Sequence, residues 1–244
     1  MKTIVIIPSR MSSKRFPGKP MAKINGIPMI QMVWEKAKAA NVGEVYVACS
    51  ENEIYDLIKS IGGKAILTDP KLATGTDRIF QAFQSLDKID EIDSIINLQG
   101  DMPLINPTDI INVIKPLKNN YSISTLATNL LTNQISNPNI TKIEVEWMKN
   151  NIGLAKNFFR IKKEINANTF HHVGIYGYTP DSLKNFINTS KSENEIKLNL
   201  EQFRVMDAGI NIGVVYVPNI LFGIDTKEDL IDAESIIRQE NAVN

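Results

Sequence analysis

The hydrophobic pattern opens with a strand. Thr3–Ile7 is a continuous apolar, β-branched run, the mark of a fully buried strand, and it is expected to stop at Pro8, which has no N–H for a ladder. A turn at Ile24-Asn-Gly-Ile27 follows, and Pro28 suits a first helical position. Over Met29–Ala40 the residues Ile30, Val33, Trp34 and Ala37 share one helical face. Glu44–Cys49 then predicts a strand, Glu51–Ile61 a helix ended by Gly62-Gly63, and Ala65–Leu67 a third strand. A helix over Ile79–Leu86, a strand over Ile92–Leu98 and a helix from Asn106-Pro107 to about Leu117 continue the alternation. Strands and helices alternating at this spacing imply a parallel sheet of βαβ units.

The pattern changes at Ser122. Ser122–Thr128 and Ile143–Trp147 read as strands, and Asn150-Asn151 is a tight-turn signal leading into a hairpin strand over Ile152–Arg160. Thr132–Asn139 and residues 161–169 read as connections, and His171–Tyr178 as a further strand. Helices are expected over Pro180–Ile187 and Glu193–Met206, a strand over Ile210–Val217, and a last helix opening near Asp225 or Thr226, either of which could cap it.

Chemistry concentrates first in the loop after the opening strand. Ser9–Pro20 holds Arg10, Lys14, Arg15 and Lys19, the hydroxyls of Ser9, Ser12 and Ser13, and Gly18. A buried strand delivers it to the C-terminal sheet edge, where ligands bind in open α/β sheets. Arginine forks and lysine ammoniums at this density suit a triphosphate, and Pro8, Pro17 and Pro20 lower the entropy of ordering the loop; a solvated basic loop is the plainer alternative. Asp101 ends the fourth strand beside Gly100, placing a carboxylate in the crevice; it is either a Mg²⁺ ligand or a turn-stabilising aspartate. Thr74-Gly75-Thr76-Asp77-Arg78 reads either as a plain helix cap or as a nucleotide contact. The neighbours His171 and His172 point to opposite faces of one strand and so make a poor joint metal pair.

Composition narrows the classes. The 244 residues, 43% hydrophobic and 22% charged, suffice for one large α/β domain. Lys+Arg and Asp+Glu balance at 27 each, so a nucleic-acid footprint is absent and an anionic ligand needs a local cluster. The single Cys49 excludes an internal disulfide framework and fits a reducing compartment. Residues 1–8 lack signal-peptide regions and no apolar run approaches a membrane span, so a cytoplasmic protein is expected.

The motif Pro8-x-Arg10-x-x-Ser13-x-Arg15-x-Pro17-Gly18-Lys19-Pro20 resembles the signature of nucleotidyltransferases that activate acidic sugars with CTP, nearest to the 3-deoxy-manno-octulosonate (Kdo) cytidylyltransferase family. Gln99-Gly100-Asp101-Met102-Pro103 is similar to that family's Gln-Gly-Asp-Glu-Pro, with Met102 in place of the glutamate. His172-Val-Gly-Ile-Tyr176-Gly-Tyr178, Leu200-Glu201-Gln202-Phe203-Arg204 and Gly223-Ile-Asp225-Thr-Lys-Glu-Asp-Leu230 extend the likeness over nearly the whole chain. It is loosest at 145–170, where of Tyr-Phe-Ser-Arg only Phe158 and Arg160 remain.

The resemblance implies an α/β, three-layer, nucleotide-diphospho-sugar transferase-like (Rossmann-like) fold, with a mostly parallel mixed sheet and a small antiparallel subdomain. It implies a single domain over 1–244, with about 120–180 as a sugar-binding and dimerisation excursion, and a homodimer. By this likeness Ser9, Arg10, Ser13, Arg15, Lys19, Thr76, Arg78 and Gln99 bind the nucleotide, and Arg160, His172, Tyr176, Glu201, Gln202 and Arg204 bind the sugar. Asp101 and Asp225 would hold Mg²⁺, and with Arg10 and Lys19 form the catalytic set. The implied reaction is CTP plus Kdo giving CMP-Kdo and pyrophosphate for lipopolysaccharide synthesis. CMP activation of an amino-Kdo or a nonulosonate is the alternative, and a non-catalytic nucleotide-binding protein a more distant one.

Overall fold

The computed structural model describes residues 1–12, 15–148, 151–162, 164–218 and 223–243. Ser13, Lys14, Asn150 and Phe222 therefore lie outside the described residues.

In chain order, β1 (Thr3–Ser9) is buried along its whole length. It runs on through Pro8 because proline's fixed φ is compatible with extended backbone and only the N–H is missing. A short hairpin, β2 (Lys23–Ile24) and β3 (Ile27–Pro28), turns at Asn25-Gly26. Helix α1 (Met29–Ala39) buries Met29, Ile30, Val33 and Ala37, and Pro28 caps it from the strand side instead of joining it. Next come β4 (Gly43–Cys49), α2 (Asn52–Ser60), β5 (Lys64–Leu67), α3 (Gly75–Gln84) and β6 (Ser94–Asn97). Helix α4 (Pro107–Asn112) is shorter than the pattern predicts, and a separate 3₁₀ turn at Pro116–Asn119 takes up the remainder. Pro116 has no N–H to continue an α-helical ladder.

Strands β7 (Ile123–Thr128), β8 (Lys142–Trp147), β9 (Ile152–Phe159) and β10 (Thr169–Tyr178) follow, then α5 (Pro180–Asn188). The single helix expected over Glu193–Met206 is two, α6 (Glu193–Leu198) and α7 (Phe203–Asp207). Asn199 breaks it by taking the left-handed conformation, φ 52° and ψ 48°. The chain closes with β11 (Ile212–Tyr216) and α8 (Lys227–Val243).

Two compact units form. One comprises residues 2–91, 97–110 and 221–244; the other comprises Met1, 92–96 and 111–220. In the first, β4 lies between β1 and β5 and all three strands are parallel, as the βαβ alternation demands. In the second, the strand order is β6-β10-β7-β11-β9-β8. There β7 and β11 are parallel, whereas β10 runs antiparallel to β7, and β9 antiparallel to both β11 and β8. The fold is mixed α/β with both parallel and antiparallel pairing. Among the described residues no helix is long and apolar enough to cross a membrane.

Candidate active site

The basic loop of the first unit is anchored by its one aromatic residue. Phe16, 7% exposed, packs in a cluster with Ile24, Met29, Ile224 and Ala233. Gly18 takes φ 72°, a left-handed value that a β-carbon would oppose, and donates its N–H to the Met11 carbonyl at 3.0 Å. These two features turn the chain so that Lys19 starts a short 3₁₀ turn with its side chain pointing inward.

Lys19 then meets both predicted carboxylates. Its Nζ donates to Asp101 Oδ2 at 2.7 Å, to the Ile224 carbonyl at 2.9 Å and to Asp225 Oδ1 at 3.3 Å. Arg15 Nη2 reaches the other oxygen of Asp225 at 3.0 Å. The Ile224 N–H donates to the Asp101 carbonyl at 2.8 Å, so the two aspartates are joined through the backbone as well. Burial works against the Lys19 ammonium, but Asp101 and then Asp225 outweigh it and hold the group above the usual lysine range. Asp225 is not the cap of α8. Asp229 Oδ2 accepts from the N–H groups of Asp225 and Thr226, both at 2.8 Å, and Thr226 Oγ1 accepts from Asp229 N–H at 3.1 Å. That reciprocal box leaves the Asp225 carboxylate to the cations.

A second group of predicted residues gathers at the end of β1. Thr74 caps α3 through a capping box with Asp77, so the plain-cap reading of this motif holds for these two residues. Arg78, one turn on, is 2% exposed. Its Nη1 donates to Thr68 Oγ1, and its Nη2 is buried with no hydrogen-bond partner among the described residues. The Ser9 hydroxyl is in the same condition. Burial, and then the like charge of Arg10 against the pull of Glu51, lower the Arg78 guanidinium from its ordinary value. A β-carbon on Gly75 would lie 3.3 Å from the Pro8 ring and 3.5 Å from Gln99 Oε1, and one on Gly100 would lie 2.9 Å from the Pro8 carbonyl. Pro8-Ser9, the start of α3 and Gln99-Gly100 thus converge, with Gln99 Nε2 donating to Asn97 Oδ1 at 3.0 Å. Thr76 is buried on α3, whereas Arg10 is exposed.

In the second unit the predicted sugar residues are held by three sets of contacts. His172 Nε2 and Thr125 Oγ1 share a hydrogen bond at 3.0 Å, and the His172 ring lies 5.0 Å from Phe158 and 5.5 Å from Tyr176. A register shift in β10 between Val173 and Tyr176 brings Tyr176 opposite Thr125. Burial and then the charge of Glu201 push the Tyr176 phenol up, which puts Glu201 within electrostatic reach of that ring. Gln202 is buried beside it in sequence. Arg160 donates Nη1 to the carbonyls of Pro138 (3.2 Å) and Asn139 (3.3 Å). The fully buried Lys142 ammonium clamps the same loop, donating to the carbonyls of Asn137, Ile140 and Arg160 at 2.6, 3.0 and 2.7 Å. Arg204 is in the core: Nε and Nη2 donate to the Glu195 carboxylate at 2.8 and 2.6 Å, and its guanidinium stands 4.8 Å from the centre of the Phe186 ring.

Residues 4–212 match a family model described as cytidylyltransferase. The 3-deoxy-manno-octulosonate cytidylyltransferase of Parvibaculum lavamentivorans is 37% identical over 98% of this chain and 93% of its own length. That of Paramagnetospirillum magneticum is 37% identical over 96% and 97%. The chain belongs to the 3-deoxy-manno-octulosonate cytidylyltransferase family. Among solved structures, a CMP:2-keto-3-deoxy-manno-octonic acid synthetase complexed with CTP superposes at a TM-score of 0.88, with 33% identity over 98% of this chain and all of its own. A UDP-glucose pyrophosphorylase, at TM-score 0.70 and 15% identity, shares the fold alone.

For this member of the cytidylyltransferase family, sequence reading did not find Thr125, Glu195 or the clamping role of Lys142. Thr125 is one position in an ordinary strand alternation, and Glu195 meets Arg204 only because Asn199 folds the two short helices back on each other. The two histidines carry a testable pH dependence. Burial, then the Lys142 charge, lowers His171 to about 4; burial, then His171, lowers His172 to about 3. Both therefore stay neutral in the folded protein where the unfolded chain, at about 6.5, already binds protons. Stability should fall as pH drops from about 6.5 toward 4, at up to ~1.4 kcal/mol per pH unit for each histidine. Urea midpoints measured across that range check it; a flat profile would contradict the neutral, buried assignment.

Proposed function

We propose that this chain transfers CMP from CTP to the anomeric hydroxyl of Kdo, releasing pyrophosphate and supplying lipopolysaccharide synthesis. The observation that carries this reading is the convergence of Asp101 and Asp225 on one cation, Lys19 Nζ, at 2.7 and 3.3 Å. Two carboxylates aimed at a single positive charge are a hard-oxygen donor set of the kind Mg²⁺ uses with substrate phosphates. Among the described residues no larger cluster of acids, histidines or cysteines exists, so the remaining ligands would come from the triphosphate and water. Bound there, Mg²⁺ would supply charge neutralisation at the α-phosphate and lower the hydroxyl pKa.

The protein's own groups account for the rest. Arg10, Arg15 and Lys19 hold the phosphates as the sugar hydroxyl attacks the α-phosphorus and pyrophosphate departs; positioning and charge stabilisation dominate such transfers. Arg78 Nη2 and the Ser9 hydroxyl, without hydrogen-bond partners among the described residues, support recognition of the base and ribose together with Gln99 and Thr76. His172, Tyr176, Glu201 and Gln202 serve the sugar hydroxyls, and Arg160 its carboxylate. We assign Arg204 to positioning the 201–202 turn through Glu195. The protein acts as a cytoplasmic homodimer; its lone buried Cys49 suits a reducing compartment, and exposed Met148, Ile161 and Ile196 offer apolar surface to a second copy.

A pyrophosphate-release assay over four nucleoside triphosphates and a set of acid sugars tests the proposal. CTP with Kdo should exceed every other pair, because groups that pair with one base edge are left unpaired by another. Equal turnover with ATP or GTP would overturn the nucleotide assignment, and preference for amino-Kdo or a nonulosonate would replace the sugar.

A further inference from the structure

Lys19 places its ammonium on the same two carboxylates that the proposed function gives to the divalent cation. It touches one oxygen of each, Asp101 Oδ2 at 2.7 Å and Asp225 Oδ1 at 3.3 Å, and its third hydrogen bond goes to the Ile224 carbonyl between them. Its side chain is only 14% exposed, against 29% for Asp101 and 35% for Asp225, so it is the least exposed of the three. The backbone leaves little choice: Ile224 N–H is tied to the Asp101 carbonyl, and Phe16 and Ile224 belong to one apolar cluster.

Resting on the metal reading above, we infer that Lys19 is a resident counter-ion which must vacate Asp101 and Asp225 before they can take a divalent cation. An ammonium hydrogen-bonded to both carboxylates and a divalent ion bound by them compete for the same oxygens, and like charges at that separation repel strongly. What draws Lys19 away is the triphosphate, whose oxygens replace the three acceptors that the ammonium gives up. Metal and nucleotide binding are thereby coupled: the free protein has low affinity for the ion, and the carboxylates become available when Lys19 turns to the phosphates. The coupling is reciprocal, as linkage requires. While the site is empty, Lys19 also keeps two neighbouring carboxylates from repelling each other.

The test uses Mn²⁺ as the probe on the protein without nucleotide, read by electron paramagnetic resonance of the free ion and by calorimetry. Lys19→Met should bind Mn²⁺ at least tenfold more tightly than the unaltered protein, and adding Asp225→Asn to it should remove that gain. Lys19→Gln, which keeps a polar side chain without the charge, should behave as Lys19→Met does and guards against a folding defect. Mn²⁺ should raise the melting temperature of either single variant more than that of the unaltered protein. Equal Mn²⁺ affinity with and without the Lys19 ammonium overturns the inference. If Asp101→Asn nevertheless abolishes that binding, the metal reading stands and only the exchange fails; if Asp101→Asn and Asp225→Asn change nothing, the metal reading fails too.

Discussion

Asp225→Asn should lower turnover by roughly a thousandfold at about 1 mM Mg²⁺ and leave the melting temperature within about 3 °C of the unaltered protein. The two halves of this expectation have separate causes. Asparagine removes the full negative charge from a donor set whose value lies in its hard anionic oxygens. The fold barely registers the change, because α8 is capped by Thr226 and Asp229 instead. The contacts Asp225 does make, to Arg15 at 3.0 Å and Lys19 at 3.3 Å, are at a partly exposed site where an ion pair contributes about 0–1 kcal/mol. Initial rates of pyrophosphate release over a Mg²⁺ series, alongside a thermal melt, decide it. Near-normal turnover at low Mg²⁺ would leave Asp101 to carry the ion alone.

Glu195→Ala should be the most destabilising of the single changes considered. The Glu195 carboxylate and the Arg204 guanidinium are about 6% and 5% exposed and joined by two hydrogen bonds. Removing the acid strands a buried cation against the Phe186 ring, where breaking such a pair costs about 3–5 kcal/mol. For a chain of this size that is a loss of roughly 6–20 °C in melting temperature. Replacing both partners with apolar residues, Glu195→Leu with Arg204→Met, should recover most of the loss, because the desolvation of both charges is then avoided. A melt that shifts by less than about 2 °C in Glu195→Ala would show that water reaches the pair. If Arg204 touched sugar directly, the folded double variant would also lose sugar affinity; an unchanged KM for the sugar supports the positioning role.

Much of this molecule was legible in its sequence where local rules act alone. The parallel strands and their helices followed from hydrophobic period, and the loop cations and Asp101 stood out because their residue types sit at strand ends; Asp225 read locally as a helix cap, and only the family resemblance set it beside Asp101. What was not legible depends on contacts between distant residues. Nothing local distinguishes Asn199 from a helical asparagine until Glu195 and Arg204 are seen to close on each other. The cap of α8 was ambiguous between Asp225 and Thr226 until Asp229 took the N–H groups. Phe16 carries no local sign of its role among the loop's cations and hydroxyls, because Ile224 and Ala233, which it packs against as the loop's apolar anchor, lie far along the chain.

That anchor has a consequence for the order of events during synthesis. Phe16 and Lys19 leave the ribosome well before the partners that fix them, Ile224, Asp225 and Ala233, which are translated about two hundred residues later. Until those residues emerge, the cation loop has lost one wall of its apolar seat and one of its two carboxylates. The nascent chain can therefore assemble β1, β4 and β5 while its cation loop stays unformed. Nucleotide affinity should switch on abruptly once Ile224 and Asp225 have emerged, and chains stalled before Ile224 should hold a largely folded sheet that does not capture CTP.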